Sequence, residues 1–235
     1  RAAGMHTAAE VTGPLTEEAG FAERFETYRY RSEHEHVHTA WGDQLIRRVQ
    51  RQLRPPWFLL LHLWALHEPR VVVPERNARR YGKTRYARAV SSLDGYLGRL
   101  LNALDDDTVV FLTADHGEHF GTSAFDECQK EWRRKARSFL YKRGLVRRPY
   151  AKLMRDVQTG HGFGVYDILV RIPLILYGPG RIPRGRSDCQ VRQIDILPTA
   201  ADVAGVPLEG ERSGHSLLPI VRGASAAHRD VFIEA

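Results

Sequence analysis

Hydrophobic and polar positions change rhythm several times along the chain, and each change marks an element. The spacing from about Ala40 to Gln52 is helical, and WFLLLHL (57–63) is an apolar run of strand length, followed by a loop with prolines, HEPRVVVPE. Over residues 84–104, Val90, Leu93, Leu97, Leu100 and Leu104 recur at steps of three and four, which predicts a helix with one apolar stripe. Asp105 to Asp107 then make a turn, and Thr108 to Thr113 form a β-branched strand. RIPLILYG (171–178) reads as another buried strand, ended by Gly178-Pro179-Gly180. In IDILPTAADVAG (194–205) a turn leads into a helix with Pro198 in its first turn and Gly205 as its stop. This alternation predicts one α/β domain over residues 1–235, built on a central mixed, mostly parallel sheet with helices on both faces. His62, inside its strand, is expected in the core.

Composition supports a folded domain: 43% of the 235 residues are hydrophobic and 27% charged, which excludes a disordered chain. Cys128 and Cys189 lie in no CxxC or zinc-ribbon spacing, so neither a disulfide framework nor a structural zinc is indicated. The longest apolar run, WFLLLHLWALH (57–67), is too short to cross a bilayer, and no signal-peptide pattern opens the chain. The cellular compartment and oligomeric state stay open. Arg1 is not an initiator methionine, and the chain is expected to be part of a longer one. Its formal charge is +7, concentrated between Thr122 and Gly160, where 11 Lys or Arg face 4 Asp or Glu. Such an excess fits either a surface for anionic partners or a solvated amphipathic helix pair. Nucleic acid is not indicated, because no recognition motif interleaves the basic residues.

Ligands of α/β sheets bind beyond the carboxyl ends of the strands. TVVFLTADHGEHFG (108–121) brings Asp115 and His116 to such an end, with Gly117 allowing the turn that would aim both at one ion. A carboxylate oxygen with an imidazole nitrogen suits zinc or manganese, and calcium less readily. His67 follows the strand over 57–63, and His161 sits in TGHGFGVYD between glycines that permit close backbone approach.

Four segments in order carry a family resemblance: FLLLHLWALHEPR leading to YARAVSSLDGYLGRLLNAL, then TVVFLTADHGEHFG, GHGFGVYDILVRIPLILYGPG, and QIDILPTAADVAGVPLEGERSGHSLLPIVRG. They resemble the sulfatase family of the alkaline-phosphatase-like superfamily from Gly20-Phe21 onward, with residues 122–160 as a basic insertion. The resemblance implies that Asp115 and His116 are metal ligands for one divalent ion, calcium by family likeness. It implies that His67, in a His-x-Pro motif, contacts the ester and assists the leaving oxygen. His161 matches a position that binds the anionic group or, in two-metal relatives, a further metal.

The departures matter equally. The family nucleophile, a Cys or Ser in C/S-x-P-x-R that becomes formylglycine in sulfatases, does not occur in the chain, and neither do the first metal carboxylates. Both are expected in a segment upstream, and the chain alone is expected to be inactive. Where many arylsulfatases carry Gly-Lys-Trp-His, this chain has Val11-Thr12-Gly13-Pro14. The leading reading is a metal-dependent hydrolase of small-molecule or glycan sulfate esters. The alternatives are a phosphoryl or phosphonate ester hydrolase, a phosphoglycerol-type transferase, or a noncatalytic polyanion-binding module.

Overall fold

The computed structural model of the 235-residue chain describes residues 4–118, 139, 143–144, 165–225 and 230–233. The insertion at 122–160, apart from residues 139, 143 and 144, lies outside the described residues, as does His161. The chain divides into two compact units, one formed by Arg1–Leu104 with Phe120–Arg147, the other by Asp105–His119 with Arg148–Ala235. No helix among the described residues is long and apolar enough to cross a membrane.

In the first unit three parallel strands stand in the order β2, β1, β3, with β1 (His6–Val11) between β2 (Thr27–Tyr30) and β3 (Trp57–Leu61). The central strand, HTAAEV, has no apolar run, and sequence patterning does not find it. Its Glu10 is 3% exposed. The carboxylate takes Arg48 at 2.9 Å and Arg29 at 3.3 Å, which compensates the cost of removing it from water.

Helix α1 (Ala40–Arg51) starts where the Thr39 side chain accepts the Trp41 N–H, and it buries Trp41, Leu45 and Val49. Helix α2 (Arg85–Leu101) starts at Thr84, which accepts the Ala87 N–H at 3.1 Å. Its buried residues are Ala89, Ser92, Tyr96 and Leu100. The face is thus turned from the predicted stripe: Val90 is exposed, and Leu93 and Leu97 are only half-buried. Tyr96 takes the central place because its hydroxyl donates to the Gly42 carbonyl at 2.9 Å, so a large ring is buried without an orphaned polar group. With Val37, Ala65, and Leu59 and Leu61 of β3, these side chains form the core of the unit.

The second unit holds an antiparallel pair, β4 (Val110–Thr113) with β5 (Leu174–Tyr177). The parallel sheet and this pair give the mixed α/β architecture expected. Neither strand of the pair is as buried as its sequence suggests: Ile175 and Tyr177 are exposed, alternating with half-buried Leu174 and Leu176. A short helix α3 (Asp167–Val170) precedes β5, and α4 (Ile196–Ala204) follows a 3₁₀ turn at Gln193–Asp195. Pro198 lies in the first turn of α4, and Gly205 ends it in the left-handed conformation, φ 67°. Helix α5 (Leu218–Val221) packs near α4 through Leu217, whose N–H donates to Thr199.

Candidate active site

Because β1, β2 and β3 run parallel, Val11, Tyr30 and Leu61 end on one edge, and the residues just beyond them meet. Arg31 ties these ends together. Its N–H donates to the Val11 carbonyl, its carbonyl accepts from the Thr12 hydroxyl, Nη2 donates to the His62 carbonyl, and Nε donates to the Glu35 carbonyl. The guanidinium lies 3.9 Å from the Trp41 ring centroid and is 6% exposed. Burial lowers its pKa to about 10, against the opposing pull of Glu10 and Glu35, so it stays charged at neutral pH.

His62 does not lie within β3. The strand stops at Leu61, and His62 is half-buried just past it, with Nδ1 donating to the Thr12 carbonyl at 3.0 Å. It belongs to the strand-end cluster and not to the core. Trp64 follows, its ring against Gly13. A Cβ at Gly13 would come within 2.4 Å of the indole, and the φ of +63° there suits glycine in any case. The His67 imidazole stacks on that indole, with centroids 4.1 Å apart and planes 24° from parallel.

His67 is exposed, and its Nδ1 lies 2.8 Å from the Glu68 carbonyl. A carbonyl only accepts, so Nδ1 carries a proton. Beside it, buried Arg70 pairs with the Glu68 carboxylate and faces the Tyr86 ring, and its carbonyl accepts from Arg85 at 3.0 Å.

In the second unit, Asp115 and His116 emerge just past β4. Asp115 Oδ1 accepts the His116 N–H at 2.9 Å, and Oδ2 faces His116 Nε2 at 3.6 Å. His116 Nδ1 donates to the Gly117 carbonyl at 2.7 Å. Nδ1–H is thus held by a backbone oxygen, which leaves Nε2 as the ring nitrogen on the carboxylate side. A carboxylate oxygen and an imidazole nitrogen this close could both serve as donors to one cation. The pair fits a divalent cation. It is a pair only, since among the described residues no group of three or more His, Cys, Asp or Glu could hold a metal.

The turn is held from behind. Gly117 N–H donates to the Leu169 carbonyl at 2.7 Å, and the Gln193 amide donates to the Ala114 and Asp115 carbonyls at 2.9 and 3.1 Å. Gln193 opens the 3₁₀ turn that Asp195 closes. Asp195 is 1% exposed and accepts from the Arg192 guanidinium, the Arg192 N–H and the His215 N–H. Burial pushes the Asp195 carboxyl pKa up, but the bonds from Arg192 and His215 outweigh it and hold the group below its ordinary value.

Of the residues singled out in the sequence, the structure brings Asp115 and His116 together in one unit and sets His67 in the other. Arg31, Trp64 and Gln193 were not among them. Arg31 and Trp64 are ordinary in composition and act through partners 31 and 51 positions away, such as His62 and Gly13. Gln193, directly before the IDILPT turn, carried a signal only through that turn.

Comparison with known proteins adds family context. The family model described as Sulfatase matches residues 11–206. The chain is 27% identical to arylsulfatase D of Homo sapiens over 202 residues, covering 80% of this chain and 30% of that protein. It is 30% identical to choline-sulfatase of Rhizobium meliloti (strain 1021) over 159 residues, covering 64% of this chain and 24% of that protein. The chain thus spans less than a third of either relative. Among solved structures, a putative sulfatase from Bacteroides thetaiotaomicron VPI-5482 superposes with a TM-score of 0.55 at 13% identity, covering 97% of this chain and 56% of that one. A 2-O GAG sulfatase superposes equally, TM-score 0.55 at 14% identity, covering 95% and 55%. The fold is therefore of the alkaline-phosphatase-like, sulfatase type.

Proposed function

The chain belongs to the sulfatase family, and from that premise we propose that it supplies a metal-holding pair and a leaving-group histidine to a sulfate-ester hydrolase. Residues 1–235 would then be one part of a single catalytic domain, with 122–160 inserted in it. The observation that carries the reading is the Asp115–His116 pair, with imidazole Nδ1 locked to the Gly117 carbonyl and Nε2 held 3.6 Å from the carboxylate. These two residues would hold one divalent cation, completed by donors from elsewhere. Their nitrogen and oxygen donors favour manganese or zinc, while family likeness favours calcium. When bound, the cation would supply a positive charge that offsets the negative charge growing on the ester oxygens.

His67 would bind the ester through its exposed edge and, when protonated at Nε2, hand a proton to the departing oxygen. The Glu68 carbonyl and the Trp64 ring fix the direction of that transfer. The role for His161, stabilising the transferring group, rests on resemblance alone. The chain contains no C/S-x-P-x-R. Its contribution is therefore binding, orientation and proton handling, and attack on sulfur falls to a nucleophile it does not carry.

Metal content tests the carrying observation. After dialysis against excess zinc, manganese or calcium, elemental analysis of the complete protein should find about one ion per molecule and much less in its Asp115→Asn and His116→Ala variants of unchanged circular dichroism. Equal loading of all three proteins would sink the assignment. For the reaction, the complete protein should turn over an aryl sulfate faster than the matched phosphate monoester and phosphodiester. Preference for either phosphate would favour the phosphoryl alternative.

A further inference from the structure

We propose that the segment Arg76–Arg88 is a docking surface for an extended sulfated carbohydrate chain, lying on the loop-to-helix path that leads away from His67. The inference rests on the sulfate-ester reading only in choosing a sulfated partner. The segment, RNARRYGKTRYAR, carries six Lys or Arg and no Asp or Glu in 13 residues. Solvated faces of folded proteins normally mix both signs, and an unmixed run concentrates anions. Among the described residues, no carboxylate lies within ion-pair distance of Arg76, Arg79, Arg80, Lys83 or Arg88.

Four of the six charges, Arg76, Arg80, Arg85 and Arg88, are held by neighbouring groups. The Arg76 and Arg80 guanidiniums lie 4.8 and 4.9 Å from the Tyr81 ring centroid. Arg76 also donates to the Ser91 hydroxyl, and Arg88 to the Gly82 carbonyl. Two 3₁₀ turns, Pro74–Arg76 and Arg79–Tyr81, set the spacing before α2 begins. Arg79, Arg80 and Lys83 are exposed. Fixed guanidinium forks lose little freedom on gripping a sulfate or phosphate oxygen pair. The Arg85 to Arg70 carbonyl bond joins the segment to the loop that carries His67, within one unit of the chain.

The same chemistry would hold nucleic acid phosphates, but one feature disfavours single strands. Those bind by stacking bases on open aromatic faces, and the Tyr81 ring is already engaged by two guanidiniums.

The test is affinity of the whole chain for a size-defined heparin oligosaccharide, measured by calorimetry, with duplex DNA of equal charge as comparison. Arg79→Gln/Arg80→Gln/Lys83→Gln should weaken heparin binding about tenfold and flatten its salt dependence. A matched Lys130→Gln/Arg133→Gln/Arg134→Gln protein should change it less than about twofold. Arg79→Glu alone, on the most exposed part of the run, repeats the test with one substitution and should act in the same direction. Equal or larger loss in the 130–134 protein would overturn the proposal, as would DNA binding as tight as heparin and lost with the same variants. Binding needs no turnover, so these outcomes stand whatever the substrate assays show. In the complete protein, the first variant should raise KM for a sulfated polysaccharide while leaving KM for a small aryl sulfate unchanged.

Discussion

The indole of Trp64 and the imidazole of His67 stack with centroids 4.1 Å apart, and the indole in turn occupies the space that any side chain at residue 13 would need. A residue unremarkable in the sequence thus sets the orientation of the proposed leaving-group acid. Removing the platform should therefore damage His67 without touching it. In Trp64→Leu the His67 ring protons should lose the upfield shift that a stacked indole imposes, and Trp64→Phe should keep part of it. In the complete enzyme, kcat should fall roughly tenfold to a hundredfold in the Leu variant, with partial recovery in the Phe variant. Identical proton shifts in all three proteins would show the stack to be incidental.

Gly13→Ala attacks the same contact from below. The new methyl would meet the indole at 2.4 Å on a backbone with φ +63°, so both sterics and conformation oppose it. The expected loss is about 1–3 kcal/mol in urea unfolding. Loss near zero would mean that Trp64 moves aside freely, and the His67 shifts should then change as in Trp64→Leu.

Acid should loosen the entrance to α1. The pKa values of His36 and His38 are lowered, chiefly by burial. His34 adds repulsion at the first, and His36 and Arg99 at the second. His38 Nε2 is buried with no hydrogen-bond partner, and its ring lies edge-on to Tyr96. Both histidines are easier to protonate in the unfolded chain. Their contribution is therefore intact above about pH 6.5, the unfolded value, and is lost as pH falls below it. The melting temperature should drop between about pH 7 and pH 5, and His38→Asn should flatten that slope. An unchanged slope would remove His38 from the account.

Asp195 gives the opposite end of the pH scale. Its folded carboxyl is held low despite burial, so its stabilisation is present above about pH 4 and fades as pH falls further. Asp195→Ala strips partners from Arg192 and the His215 N–H together, and should cost roughly 2–4 kcal/mol in denaturant unfolding. Because the 3₁₀ turn it closes also carries Gln193, the variant should weaken metal retention at Asp115 and His116 as well. Full metal content in a destabilised Asp195→Ala protein would separate the two roles.

Elements whose cause is local were legible in the sequence. Helix α4 announces itself through Pro198 and Gly205, α1 through its apolar spacing, and the turn after β4 through Asp115-His116-Gly117. What escaped depends on partners far along the chain. Strand β1 looks unlike a central strand because Glu10 is tolerable only once Arg48, 38 residues away, reaches it. The buried face of α2 turned toward Tyr96 and Ser92 because their hydroxyls find the Gly42 carbonyl and, for Ser92, the Arg88 carbonyl and Val73 N–H. A leucine stripe carries no trace of those acceptors. Arg31 was invisible for the same reason: its value lies in three backbone carbonyls and the Thr12 hydroxyl, which only the folded chain assembles.

Gly117 sits where a Cβ would fall 2.0 Å from the Ile168 carbonyl oxygen and 3.0 Å from the Leu169 Cα, both backbone atoms that cannot step aside. For anyone seeking to retune this centre by directed evolution, the three neighbouring positions are therefore unequal currencies of change. Under the proposed metal role, varying codons 115 and 116 should shift ion preference, whereas a saturation library at codon 117 should return glycine alone among the clones that retain metal.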